Sequence, residues 1–181
     1  MLKSVRLFIV LGMLLSLSMP ASAAIMDNPV ATGLGVAFGA AATTMAALSG
    51  WYASKTKSDI ENGPGFKGDK TGKESAYAGE VAGYLTAGLF GAGTLVGWMG
   101  GAGAVGAVCM GAIGYLSAIA ALVGDSIACG VINTSSDIDV RNARIATGLS
   151  AGMLVTALIY VAAYASLAGM KSARSSIHSP S

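Results

Sequence analysis

The chain has 181 residues, of which 54% are hydrophobic and only 11% are charged. Ordinary soluble domains carry roughly 25% charged residues, so this composition is typical of a membrane protein. The formal net charge at pH 7 is +2. Such a small charge argues against a broad basic surface, and we therefore expect no direct contact with nucleic acid.

The first 23 residues have the features of a cleavable export signal. Lys3 and Arg6 precede an apolar run, which leads into the small residues Ala21 and Ala23 of an A-x-A-like cleavage site. We predict that residues 1–23 are a signal peptide cut after Ala23. An uncleaved anchor is the alternative, although the apolar run is shorter than the roughly 20 residues of a membrane span.

Long stretches without charged residues divide the region that follows, residues 24–170. They predict four transmembrane helices, because one span needs roughly 20 apolar residues. Glycines at positions 100, 101 and 103 permit a reversal between the second and third helices. The predicted fold class is all-α, a polytopic membrane helix bundle followed by a polar tail, residues 171–181. The spans are expected near residues 30–52, 81–99, 104–124 and 146–168.

Charge in the connecting loops predicts the orientation of this bundle. If the signal is cleaved, the mature N-terminus lies outside, which places the loops 54–80 and 125–144 in the cytoplasm. Those loops hold seven Lys and Arg residues, whereas the outer segments hold two, Lys171 and Arg174. This asymmetry follows the positive-inside rule. We therefore predict a bacterial inner-membrane protein with both mature termini in the periplasm.

The predicted spans are unusually rich in glycine and alanine. Small residues let membrane helices approach closely and gain van der Waals contact. Glycines four residues apart share one helix face, so they predict packing surfaces. Packing within one bundle and packing between copies would leave the same pattern. The predicted helix-packing residues are Gly35, Gly39, Gly83, Gly93, Gly97, Gly101, Gly148 and Gly152.

One glycine cluster also matches the G-x-G-x-x-G fingerprint of dinucleotide-binding enzymes, through Gly101, Gly103 and Gly106. The fingerprint requires a preceding strand in a soluble domain. Residues 81–124, however, contain no charged residue and no histidine, so the helix that follows has no polar side for water. A nucleotide-binding enzyme is kept here as an alternative to the membrane interpretation.

The chain offers few residues for chemistry. The single histidine, His178, lies in the polar tail, and Cys109 and Cys129 lack metal-ligand spacing. Asp27 and Asp125 are expected at membrane edges, as helix caps or interfacial groups. Because no predicted span contains an acidic or basic residue, a transporter or pump is disfavoured. We predict no enzyme activity, no catalytic residue, no metal site and no cofactor.

The order of segments resembles that of conjugative pilins and related small subunits of type IV secretion systems. The resemblance is carried by the Ala21-Ser22-Ala23 site and by the stretches GLGVAFGAAATTMAALSGWYASKTK and YLTAGLFGAGTLVGWMGG. A longer loop and two further spans depart from the pilin layout and favour a fixed membrane component over a filament subunit. The resemblance implies a structural role, with the lipid bilayer, itself or other membrane subunits of a conjugation or secretion complex as partners. A holin-like or toxin-like pore former and an outer-membrane glycine-zipper protein are the alternatives.

Overall fold

The protein is a bundle of four long α-helices. The computed structural model describes residues 29–63, 70–98, 102–134 and 140–177. These residues contain no strand, and each helix is long and apolar enough to cross a membrane. The predicted all-α membrane fold is confirmed. The predicted signal peptide with Ala21 and Ala23, the glycine Gly101 and the tail histidine lie outside the described residues. The helices are α1 (Pro29–Asn62), α2 (Lys70–Trp98), α3 (Ala102–Asn133) and α4 (Arg141–Ile177).

Helices that follow each other in the chain pack side by side, and α4 closes the bundle against α1. The contacts run in opposite directions along neighbouring helices. Asp59, near the end of α1, accepts a hydrogen bond from Asn142 at the start of α4, and Lys73 at the start of α2 pairs with Glu61. The bundle therefore runs up, down, up and down. We call the end where α1 and α3 finish the charged end.

The helices are longer than the predicted spans. They contain 29 to 37 residues and so extend roughly 43 to 56 Å, against a hydrocarbon core of about 30 Å. The surplus lies in segments that the sequence analysis assigned to loops, because loss of apolarity ends a span but does not end a helix. Across the charged end, Lys73 pairs with Glu61 at 2.8 Å and Lys57 pairs with Glu80 at 3.7 Å, joining α1 to α2.

The interior of the bundle is made mainly of small side chains. Most buried apolar residues are alanines, whereas the described leucines and valines, and the isoleucines other than Ile60 and Ile132, are exposed or only partly buried. Leu116, for example, is 66% exposed. A water-soluble bundle would bury these aliphatic side chains, since their exposure to water is costly. Large apolar residues outside and small ones inside are compatible with contact between the helices and a lipid bilayer.

Two tyrosines of α4 fill the part of the core nearest the end of α2 and the start of α3. Tyr160 and Tyr164 are fully buried, with ring centroids 4.9 Å apart, and Phe90 of α2 meets Tyr160 edge-on at 5.0 Å. Such T-shaped pairs are a favourable arrangement of aromatic rings. These three rings are the largest side chains of the core at this level.

The rings lie directly on glycines of the other helices. A Cβ atom placed on any of these glycines would approach a tyrosine more closely than side chains ever do. Four of these glycines are predicted packing positions, and the fifth, Gly111, was not predicted. The glycines are Gly35 and Gly97 under Tyr164, and Gly39, Gly93 and Gly111 under Tyr160.

The other predicted packing glycines have different surroundings. Gly83 lies against the backbone of Gly50, where α1 and α2 approach most closely, and a Cβ there would lie 2.8 Å from the Gly50 nitrogen. Gly152 has only an ordinary contact with the Met45 side chain, at 3.4 Å from an added Cβ. Gly148 is exposed, and an added Cβ would meet nothing within 4 Å. Within this chain, Gly148 therefore takes no part in helix packing.

We predict that Gly97→Leu destabilises the folded bundle by about 1–3 kcal/mol or more, because the new side chain must displace the Tyr164 ring. The matched control is Gly88→Leu on the same helix, where nothing lies within 4 Å of an added Cβ. Thermal unfolding in mild detergent, followed by circular dichroism, measures both. Equal melting temperatures for the two variants would contradict the described packing.

Candidate functional site

The candidate site is a buried aspartate that lies between all four helices. Asp125 belongs to α3 and is 2% exposed. It faces Ser49 of α1, Ser150 of α4 and the backbone of Gly79 on α2. Ionisable side chains inside membrane bundles are uncommon and usually mark functional sites.

Two serine hydroxyls converge on one oxygen of the Asp125 carboxyl. Ser49 Oγ lies 3.0 Å from Oδ2 and Ser150 Oγ lies 2.6 Å from the same oxygen, both within hydrogen-bond distance. The two hydroxyl oxygens are also 2.7 Å apart. Both serines are fully buried. The three side chains thus form a closed triangle of oxygens that connects α1, α3 and α4. We call them the aspartate triangle.

The fourth helix contributes space in place of a side chain. Gly79 of α2 lies against Asp125, and a Cβ added to Gly79 would overlap with Oδ1. Gly124 lies equally close to α2, since a Cβ there would be 2.7 Å from the Ser75 carbonyl oxygen. Oδ1 itself is buried and has no hydrogen-bond partner. Glycine on both helices is therefore what admits a carboxyl group at this crossing.

The position of Asp125 corrects the expectation that it caps a helix. Helix α3 continues past Asp125 to Asn133, so the aspartate lies inside a helix and is buried between its neighbours. The expectation that the spans themselves contain no acidic or basic residue, on which the case against a transporter rests, stays a prediction. A charge-free window stops at the first charged residue, so it cannot distinguish a buried carboxyl from an interfacial one. Two features of the sequence could have indicated a buried carboxyl: Gly124, which directly precedes Asp125, and Ser49, a polar residue inside a predicted span.

The remaining candidates from the sequence do not gather into a second site. Within the described part of the chain, no three His, Cys, Asp or Glu residues lie close enough to hold a metal ion. Cys109 and Cys129 are both free. Gly103 and Gly106 lie in the first turns of α3, and the residues before them form helix α2. The strand that the dinucleotide fingerprint requires is thus replaced by a helix.

Comparisons of the chain with known protein families, with curated proteins and with solved structures find no match.

We predict that Gly79→Ala destabilises the bundle through Asp125. The added methyl group collides with Oδ1, and overpacking of this kind costs about 1–3 kcal/mol. In an Asp125→Ala background the obstacle is gone, so the same change should cost at least about 0.5 kcal/mol less. Unfolding free energies of the wild type, both single variants and the double variant give this difference.

The control is Gly130→Ala on α3, where an added Cβ meets nothing within 4 Å. This variant should be as stable as the wild type or slightly more stable, because alanine favours helix over glycine. A Gly79→Ala cost that is the same with and without the aspartate would contradict the described contact.

Proposed function

We propose that this protein is a structural subunit of the bacterial inner membrane that assembles with itself or with other membrane subunits. A conjugation or type IV secretion apparatus is the setting that the layout of the sequence favours. The predicted signal peptide supports export to this membrane, and the greater number of Lys and Arg residues in the predicted inner loops supports the orientation. Four helices of sufficient length and apolarity support residence in the bilayer.

One observation carries the structural role: within the described residues, the glycine faces inside the bundle are already covered by side chains of the same chain. The glycines at positions 35, 39, 93 and 97 are covered by tyrosine rings of the same chain. The hydroxyls of Ser49 and Ser150 are likewise used within the bundle. A closed bundle of this kind has only its outer surface left for partners. Assembly must therefore use outward positions.

The outward side of α4 is the proposed contact surface. Gly148 is exposed and makes no helix contact within the chain, and Ala151 and Val155 near it are exposed as well. Glycine on an outward helix face allows a neighbouring helix to come close, which in lipid is a main source of association energy. Of the predicted packing glycines that the structure describes, Gly148 is the one that internal packing leaves open, as it also leaves Gly33, Gly88, Gly130 and Gly169.

A pore within one chain finds no support in this geometry. The alternative required glycine faces that line or gate a channel. In the bundle, the Tyr160 and Tyr164 rings occupy the space over those faces and are fully buried. We therefore put forward no second function.

We predict that Gly148→Leu leaves the bundle folded and weakens assembly. A leucine at this position has free space within the chain but would hold a partner helix away. The measurement is crosslinking in carbonate-washed inner membranes, with a photoreactive residue in place of Ala151. We expect at least a several-fold loss of the crosslinked product, with unchanged thermal unfolding.

Lys70→Ala is the control, because Lys70 is exposed at the charged end and its ion pair with a described residue is with Glu74 one turn away, at 3.7 Å. It should crosslink like the wild type. Release of the mature chain from the membrane by carbonate, or equal crosslinking of Gly148→Leu and the wild type, would contradict the proposal.

A further inference from the structure

The aspartate triangle contains more oxygen contacts than two serines can bridge with hydrogens. Its three contacts measure 2.6, 2.7 and 3.0 Å, all within the range of O–H···O hydrogen bonds. Each serine hydroxyl has one hydrogen to donate, and an ionised carboxylate has none. Two hydrogens can bridge two of the contacts. The third would then join two oxygens that repel each other.

A proton on the Asp125 carboxyl removes this conflict. The carboxyl then donates to one serine and accepts from the other, and the two serines share the remaining hydrogen bond. Each of the three contacts holds one hydrogen, and every oxygen of the triangle both donates and accepts. The short distances on all sides follow directly from this arrangement.

The surroundings of Asp125 favour the same uncharged form. Among the described residues, its hydrogen-bond partners are two neutral hydroxyls, and Oδ1 is buried without a partner against Gly79. A buried carboxylate is costly unless it is paired with a cation or fully hydrogen-bonded. No salt bridge between described residues involves Asp125.

Titratable groups on the neighbouring helices are engaged elsewhere. On α2, Glu80 follows Gly79 but pairs with Lys57 at 3.7 Å, and the Tyr84 ring lies near Gly50. The stretch of α4 between Arg144 and Tyr160 contains no titratable side chain. On α1 the side chain facing the carboxyl is Ser49. None of these groups forms a described hydrogen bond or ion pair with Asp125.

We propose that Asp125 is a proton-binding site: in the folded protein at neutral pH its carboxyl carries a proton that completes a ring of three hydrogen bonds with Ser49 and Ser150. The ring joins three helices, so loss of the proton and separation of the helices are coupled. This inference depends only on the geometry of the triangle and is independent of the proposed assembly function.

Infrared spectroscopy of the full-length protein in lipid at neutral pH tests the proposal. Labelling the aspartate side-chain carboxyls with ¹³C separates their C=O stretching band from that of glutamate. The wild type should show the band of one protonated aspartate, because aspartates in water are ionised at this pH. This measurement needs no variant to fold. The absence of such a band from the wild type would overturn the proposal.

Variants then assign the band. Asp125→Asn should abolish it, whereas Asp59→Asn, which changes an aspartate at the charged end, should leave it intact. Ser150→Ala should shift its frequency, since it removes one member of the ring. A band that survives Asp125→Asn, disappears in Asp59→Asn or does not move in Ser150→Ala would contradict the proposed ring.

Discussion

The close approach of helix backbones is the constraint on which the rest of this bundle depends. Where α1 crosses α2, Gly50 and Gly83 meet with no side chain between them. Where α3 crosses α2, Gly124 and Gly79 do the same. In lipid, burial of apolar side chains gives helices little reason to associate, and contact between backbones must supply much of the attraction. These two crossings therefore require glycine on both helices.

The same constraint explains the two unusual features of the core. Near the end of α2, glycines on α1, α2 and α3 leave space between the helices, and Tyr160 and Tyr164 of α4 fill this space. At another level it brings Asp125 against the backbone of α2 while the serines of α1 and α4 reach its carboxyl. The Tyr160 and Tyr164 rings fill space between the helices, whereas the aspartate triangle forms hydrogen bonds with a defined geometry. Hydrogen bonds fix the rotation of each helix, which smooth alanine surfaces do not.

Sequence reasoning was sufficient for the class of fold and for the place of one turn. Charge-free stretches identified all four helices, and the glycine cluster at 100–103 predicted a break where α2 ends at Trp98 and α3 begins at Ala102. Helix ends were predicted less well, because a span is recognised by apolarity while α1 continues through the charged residues Lys57 and Glu61.

The site itself was beyond reach of the sequence. Asp125 forms its contacts with residues 25 and 76 positions away, and no local pattern indicates which distant serines will face it. Glycine spacing correctly indicated small helix faces but not what covers them. The ring over Gly97 comes from Tyr164, a residue that lies in a separate span.

An alanine core also determines how the chain can vary. In most globular proteins the damaging changes shorten large buried side chains. Here most buried positions already hold alanine or glycine, so little can be removed and almost any enlargement meets a neighbouring helix. The large outward residues, such as Leu116 and Leu158, can be replaced by other apolar residues with little effect on contacts inside the bundle. The pattern of mutational tolerance is thus inverted: identity is constrained at the smallest residues and free at many of the largest.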